Sequence, residues 1–368
     1  MDNLFESKID DSELNLHPKY KILRSLPLHK KVLEMWFKGF KDRDNKIIKE
    51  FRTTFHSSFW EIYLFAVFKE LNYKIDMSNP RPDFILEFND EKILIEATTA
   101  NIKKGGESED SRNMSNILNM FTPPYQQKNF EYEINESIAR YSNSINSKLR
   151  LYHTTYKKCK WISDKNPYII ALSSYSQVDY GREYIYGIIA LLFGQYFEHK
   201  EMKYKQKKTI IKNDTKAEIK LGLFFKEEYQ DLSAIIFSCT TTIGKITATV
   251  LSENESYDVN KVYCLYQDLT DTKIPYKLNL VNKDTPELLQ DGLFVIHNPH
   301  AKNSLNLDYF NNPAITQIYI NNKGMIEVNG NLCPTVARLD IPTFVANIIE
   351  DRIFSQVEAF NCFGKDGR

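Results

Sequence analysis

The sequence predicts a mixed α/β fold in which a central mixed sheet is flanked by helices, and three observations support this. Between residues 57 and 197, apolar segments follow one another in the order helix, hairpin, helix, strand, helix. The stretch NPRPDFILEFNDEKILIEATTAN, residues 79–101, reads as a tight hairpin about a central Asn-Asp pair. Past residue 200 the runs LSAIIFSCTT, KITATVLS, GLFVIHNP and ITQIYINNKGMIEV read as strands and make the C-terminal region β-rich.

Each element has its own signal. Residues 1–50 are polar and helical, with PLHKKVLEMWFKGF as one amphipathic stretch, and form a lead-in. Residues 57–72, SSFWEIYLFAVFKELN, start with serines suited to capping and continue as an apolar helix. After the hairpin, residues 101–133 are rich in Asn, Ser, Lys, Glu and Gly, and predict a long loop or lid. A helix over about 134–152 follows from Ile138, Tyr141, Ile145, Leu149 and Tyr152 at helical spacing. NPYIIALSS, 166–174, is a buried strand, and REYIYGIIALLFGQYF, 182–197, another helix. The expected organisation is a lead-in at 1–50, a core at 51–200 and a β-rich region at 201–368, which either forms its own unit or extends the same sheet.

Composition excludes several classes. At 368 residues, 42% hydrophobic and 26% charged, the chain can bury a sizeable core. No apolar run approaches the roughly 18–20 residues of a membrane helix, and the start MDNLFESKIDDSELN is acidic, so a cytoplasmic, non-membrane protein is expected. The five cysteines (Cys159, Cys239, Cys264, Cys333, Cys362) are scattered without a CxxC, which argues against zinc and disulfide frameworks. Net charge is zero, but residues 147–160 carry five basic and no acidic side chains, and residues 200–220 carry eight lysines against three acids. Such runs are solvated faces or phosphate-binding strips, with Lys157, Lys158 and Lys160 as the candidate nucleic-acid contacts. Tyr152, Tyr156 and Trp161, interleaved with the first run, are either core or base-stacking residues.

The hairpin carries acids where apolar residues are expected. If Asn89-Asp90 is the turn, Phe88 faces Glu91 and Asp83 faces Glu96. Opposed side chains have Cβ atoms about 4.5–5.5 Å apart, and two like charges there destabilise unless something offsets them. A shared divalent cation would do so; a solvated sheet face or a different register would also accommodate the pair. On the preceding helix Glu61 shares the arc of Leu64, Phe65, Phe68 and Leu71, where a lone carboxylate is costly to bury. Packing of that helix on the hairpin would bring a third acid to the cluster.

These residues resemble the PD-(D/E)xK nuclease superfamily. That core has a helix bearing an acid, a strand beginning Pro-Asp, a strand ending Glu-x-Lys, then a helix and a further strand. Here the pieces are Glu61 in FWEIYLFAVFKELNY, Pro82-Asp83 in RPDFILEF and Glu96 in ILIEATT, over roughly residues 57–197. The resemblance implies a restriction-endonuclease-like fold and a metal-dependent endonuclease acting on nucleic acid, DNA first, in restriction or antiphage defence. It implies that Asp83, Glu96 and the carbonyl of Ala97 hold Mg²⁺ or Mn²⁺, with Glu61 helping directly or through water. Thr98 stands at the family's lysine position and cannot supply a cation. Lys92 shares strand parity with Glu96 but lies about 13 Å away. Lys148, flanking the apolar stripe of the following helix, is the expected replacement, with Lys103 and Lys104 behind it. The alternative is a catalytically silent fold that binds nucleic acid or a protein, and a homodimer is left open.

Other motifs are weaker. His297 and His300 in HNPH lack further N or S ligands. No GxSxG occurs, Cys159 has no marked base, and TTTIGK, 240–245, lacks the first glycine of a phosphate-binding loop.

Overall fold

Among the described residues four helices lead into the sheet: α1 (Pro18–Arg24), α2 (Pro27–Phe37), α3 (Ile47–Thr53) and α4 (His56–Glu70). The structure is a computed structural model, and it describes residues 4–5, 15–43, 45–88, 91–102, 105–175, 181–271 and 274–362. The expected turn residues Asn89 and Asp90, and the lysines Lys103 and Lys104, lie outside the described residues. α2 begins on Pro27, whose fixed φ suits a first helical position, and buries Val32, Leu33, Trp36 and Phe37. α4 starts one residue earlier than the sequence suggests. Its N-cap is Phe55 with no side-chain cap bond, and Ser58 is buried inside the helix rather than capping it.

Strands β1 (Lys74–Asp76), β2 (Phe84–Phe88) and β3 (Glu91–Thr99) follow, β2 pairing antiparallel with β3 in the expected register of Phe84 with Ile95 and Phe88 with Glu91. The 101–133 segment is mostly irregular, with the short helix α5 (Met114–Leu118). Helix α6 (Phe130–Thr154) then returns the chain so that β4 (Tyr168–Ser173) lies parallel to β3. α7 (Tyr186–Phe193) is half the length expected for 182–197, because Gly194 takes a left-handed conformation (φ 75°) and ends it. The chain then enters β5 (Gln195–Glu198), which pairs with β6 (Lys203–Gln206). A second small hairpin joins β7 (Thr209–Ile211) to β8 (Glu218–Lys220). The lysine-rich 200–220 run therefore forms surface hairpins, with Lys205 paired to Glu201 and Lys207 to Glu198.

β9 (Ala234–Ser238) adds parallel to β4. The next segment corrects the sequence reading: KITATVLS is helical, within α8 (Ile243–Glu253), because Thr242 caps the start by accepting from the Gly244 N–H at 3.3 Å and one face packs into the core. β10 (Asn260–Gln267) and β11 (Tyr276–Leu280) belong to a separate three-stranded sheet. β12 (Phe294–His297), β13 (Thr316–Ile320) and β14 (Ile326–Gly330) extend the main sheet. β15 (Thr335–Pro342) completes the three-stranded sheet, and the 20-residue helix α9 (Thr343–Cys362) covers it. Of the four apolar runs only KITATVLS is helical, and β10, β11 and β15 are strands besides those the other runs supply.

The main sheet has eight strands in the order β1-β2-β3-β4-β9-β12-β13-β14. Strands from residues 74–173 and 234–330 share it, and helices flank it. On one face α4 packs against Phe84, Leu86, Ile93 and Ile95, and the Trp60 indole donates to the Ala171 carbonyl at 2.9 Å. On the other, α6 and α7 pack against Ile85, Leu94, Tyr168, Ile170 and Leu172. No described helix is long and apolar enough to cross a membrane.

Candidate active site

Strand parity puts Glu96 and Thr98 on the α6 face with Leu94, and extending the hairpin by one pair brings Asp83 opposite Glu96. Asp83 Oδ2 accepts the Ala97 N–H at 2.8 Å. The peptide groups of even-numbered β3 residues serve β4, as the bonds from Leu94 N to Pro167 O and from Ala100 N to Ser173 O show. Ala97 is odd, so its main chain faces the side that β2 has already left, where Asp83 stands. Arg43 clamps this loop by donating to the carbonyls of Asn79, Pro82 (3.2 Å) and Asp83 (2.8 Å).

Helix α6 brings the cation. Every fourth residue along one edge reaches the β3–β4 layer: Arg140 Nη1 donates to Ala100 O at 2.9 Å, Ser144 Oγ to Thr99 O at 3.4 Å, and Lys148 Nζ to Glu96 Oε1 at 2.7 Å. One turn further, Tyr152 stacks on Tyr168 with centroids 4.2 Å apart. The spacing of four fixes the register of the helix over the strand, and Lys148 thereby lies beside the acid pair that Thr98 leaves without a cation. The Tyr156 hydroxyl donates to the second oxygen, Glu96 Oε2, at 2.7 Å. Glu96 is therefore held on both oxygens and buried.

The electrostatics are those of crowded acids. Burial, and then the charge of Glu96, push the Asp83 carboxyl up to about 7, with Lys148 and the Ala97 N–H opposing. Glu61 is raised well above the ordinary glutamate value by burial first and then by Asp83 and Glu96. Among the charges that raise Glu61 on α4, Asp83 and Glu96 come directly after burial. Burial lowers the Lys148 ammonium, but Glu96, then Asp83 and Glu61, outweigh it and raise the group overall. Lys148 is held cationic.

The residues fit a hard divalent cation in part. Asp83 Oδ1 makes no hydrogen bond among the described residues, the Ala97 main chain faces the same gap, and Asp83 and Glu61 are raised by burial first and by neighbouring acids second. Among the described residues no three Asp, Glu, His or Cys side chains close on a single point. Two carboxylates and a carbonyl, with water completing the shell, suffice for Mg²⁺.

The other sequence candidates are dispersed. Lys157 is paired with Asp231 at 2.7 Å, beside His153 (2.9 Å) and Lys302 (3.4 Å) on the same carboxylate. Lys158 and Lys160 are exposed. Tyr152 and Tyr156 are buried, which removes both as base-stacking residues and leaves Trp161. His297 is buried against Gln317 Oε1 at 2.9 Å. Lys245 of TTTIGK is buried against Glu287 at 2.8 Å, with Arg338 paired to the same carboxylate. Sequence reasoning missed Arg43, which carries no pattern in its loop, and the role of Tyr156, whose position one helical stripe beyond Lys148 was the available signal. No family model, curated protein or solved structure matches the chain.

Proposed function

We propose that the protein is a metal-dependent endonuclease with a restriction-endonuclease-like core of the PD-(D/E)xK kind, hydrolysing phosphodiester bonds of nucleic acid, DNA first, in a restriction or antiphage role. The observation that carries this reading is the ion pair of Lys148 with Glu96 at 2.7 Å, a cation delivered from α6 to the acid pair where strand residue Thr98 cannot supply one.

Asp83, Glu96 and the Ala97 carbonyl would hold Mg²⁺ or Mn²⁺, which would supply polarisation of the scissile phosphate and activation of a water. The chain's own groups do the rest. Lys148 offers an ammonium beside the acids to orient the attacking water and offset charge developing on phosphate. Tyr156 holds Glu96 in one rotamer, and Arg43 fixes the Asp83 loop. Glu61, whose carboxyl burial and then the charges of Asp83 and Glu96 raise well above the ordinary glutamate value, would help hold the metal directly or through water.

Incubation of supercoiled plasmid with Mg²⁺, Mn²⁺ or EDTA tests the reading. Nicked and linear products are expected with either metal, none with EDTA, and none from Asp83→Ala; equal cleavage by Asp83→Ala and wild type would refute it. A second reading, a catalytically silent binding module, draws on Glu96 having both oxygens engaged by Lys148 and Tyr156, and is supported if no metal yields product.

A further inference from the structure

Beside the acid cluster lies a cavity of about 580 Å³ lined by Lys92, Lys160, Trp161, Lys165, Asn166 and Asn303, among others. Lys92 lies on the same sheet face as Glu96, four residues before it on β3, which sets the cavity about 13 Å from Glu96. Its walls are built. The Trp161 indole N–H donates to the Arg81 carbonyl at 2.9 Å, so the edge of the ring is committed and it is fixed to the loop that carries Asp83 two residues later. Asn166 donates to the Lys92 carbonyl at 3.1 Å. Asn303, from the NPHAKNS loop, donates to the carbonyls of Asp164 (2.6 Å) and Asn166 (3.2 Å). Lys160 and Lys165 form no ion pair among the described residues, while Lys92 is 3.4 Å from Asp76 and 3.5 Å from Glu87 and is committed to those acids. Among the described lining residues Lys160 and Lys165 stand with one acid, Glu91.

We propose that this cavity is a docking site for an unpaired nucleic-acid strand, with a base stacked on Trp161 and phosphates against Lys160 and Lys165. An anchored aromatic ring among cations is the combination that holds single strands without regard to sequence, since every base has a π-face and every linker a charge. The proposal deepens the nuclease reading and rests on it for the substrate class; a strand seated here extends along β3 toward Asp83 and Glu96.

The test uses the full chain in EDTA, so that it does not depend on cleavage. Trp36 and Trp60 are 3% and 0% exposed, which makes Trp161 the tryptophan a ligand can reach. A short oligothymidylate, and an oligouridylate of equal length to separate DNA from RNA, should quench tryptophan fluorescence saturably. By anisotropy of labelled oligomer, Trp161→Ala should weaken binding about tenfold or more, the loss expected for one base stack, while Trp161→Phe retains most of it. Lys160→Gln with Lys165→Gln should flatten the salt dependence by roughly 0.7 in slope for each phosphate no longer neutralised. Absence of quenching, wild-type affinity in Trp161→Ala, or equal competition by duplex or by polyglutamate would overturn the proposal. Trp161-dependent binding without plasmid cleavage would sustain the cavity and refute the nuclease. Cleavage with Trp161-independent binding would do the reverse.

Discussion

Asp83 is an acid whose folded-state value lies above its unfolded one, about 7 against 3.8, so its ionisation costs stability. Below pH 3.8 both states are protonated and the cost is absent; it grows through the interval and is complete above about pH 7. Asp83→Asn should therefore melt above wild type at pH 8, with the difference closing toward pH 4, as thermal unfolding across pH will show. Because a metal competes with that proton, Mg²⁺ affinity of the wild type should rise between pH 6 and 8, and calorimetry should find it lost in Asp83→Ala and Glu96→Ala but only weakened in Glu61→Gln. Lys148→Ala should lower the cleavage rate at least about a hundredfold with metal binding retained, the low end of what a positioned cation contributes. Asp83 and Glu96 were legible in the sequence because strand periodicity is 2 and a one-residue slip would have turned both acids away from each other. Lys157 reads from sequence as a phosphate contact because its true partner, Asp231, is 74 residues away and no local pattern announces it.

At the scale of elements, the cation beside Glu96 comes from a helix rather than from the strand. Thr98 lies on the same face of β3 as Glu96, so a lysine there would point into the same space that Lys148 now fills from α6. Thr98→Lys combined with Lys148→Ala should recover at least about tenfold of the rate lost in Lys148→Ala alone; a double variant as slow as the single one would mean that the helix, and not only the charge, is required. The α6 stripe was readable from its period of 3.6, since apolar positions 138, 141, 145 and 149 define the buried face and leave 140, 144 and 148 along its edge. α8 was not readable in the same way. Its β-branched residues (Ile243, Ile246, Thr247, Thr249, Val250) favour strand, and tertiary burial against α2 and β10 overrides that preference.

For the molecule as a whole, the three-stranded sheet is fastened to the main body by a buried ion triad. Glu287 accepts from Lys245 of α8 at 2.8 Å and from Arg338 of β15, whose Nε lies 2.9 Å away. Burial raises the Glu287 carboxyl, but Arg338 and Lys245 outweigh it and lower the group overall, while burial lowers the Lys245 ammonium against the pull of Glu287. Glu287→Gln should leave two buried cations without their counter-charge and cost about 3–5 kcal/mol by denaturant unfolding, a far larger loss than for an exposed pair such as Lys283 with Glu255. None of this was visible in the sequence, where TTTIGK reads as a failed phosphate loop; a buried charge declares itself only when its partners, 42 and 93 positions further on, are known.

The main sheet has one more property: its spatial order, β1-β2-β3-β4-β9-β12-β13-β14, is also its order along the chain. No strand has to be threaded between two that are already in place, so the sheet can be laid down edge-first as the polypeptide leaves the ribosome. The acid pair and its lysine are complete by residue 173, before the strands that widen the sheet have been made. Synthesis from the amino terminus can thus complete the acid pair and its lysine before the remaining scaffold, with each new strand added to the margin left by the one before.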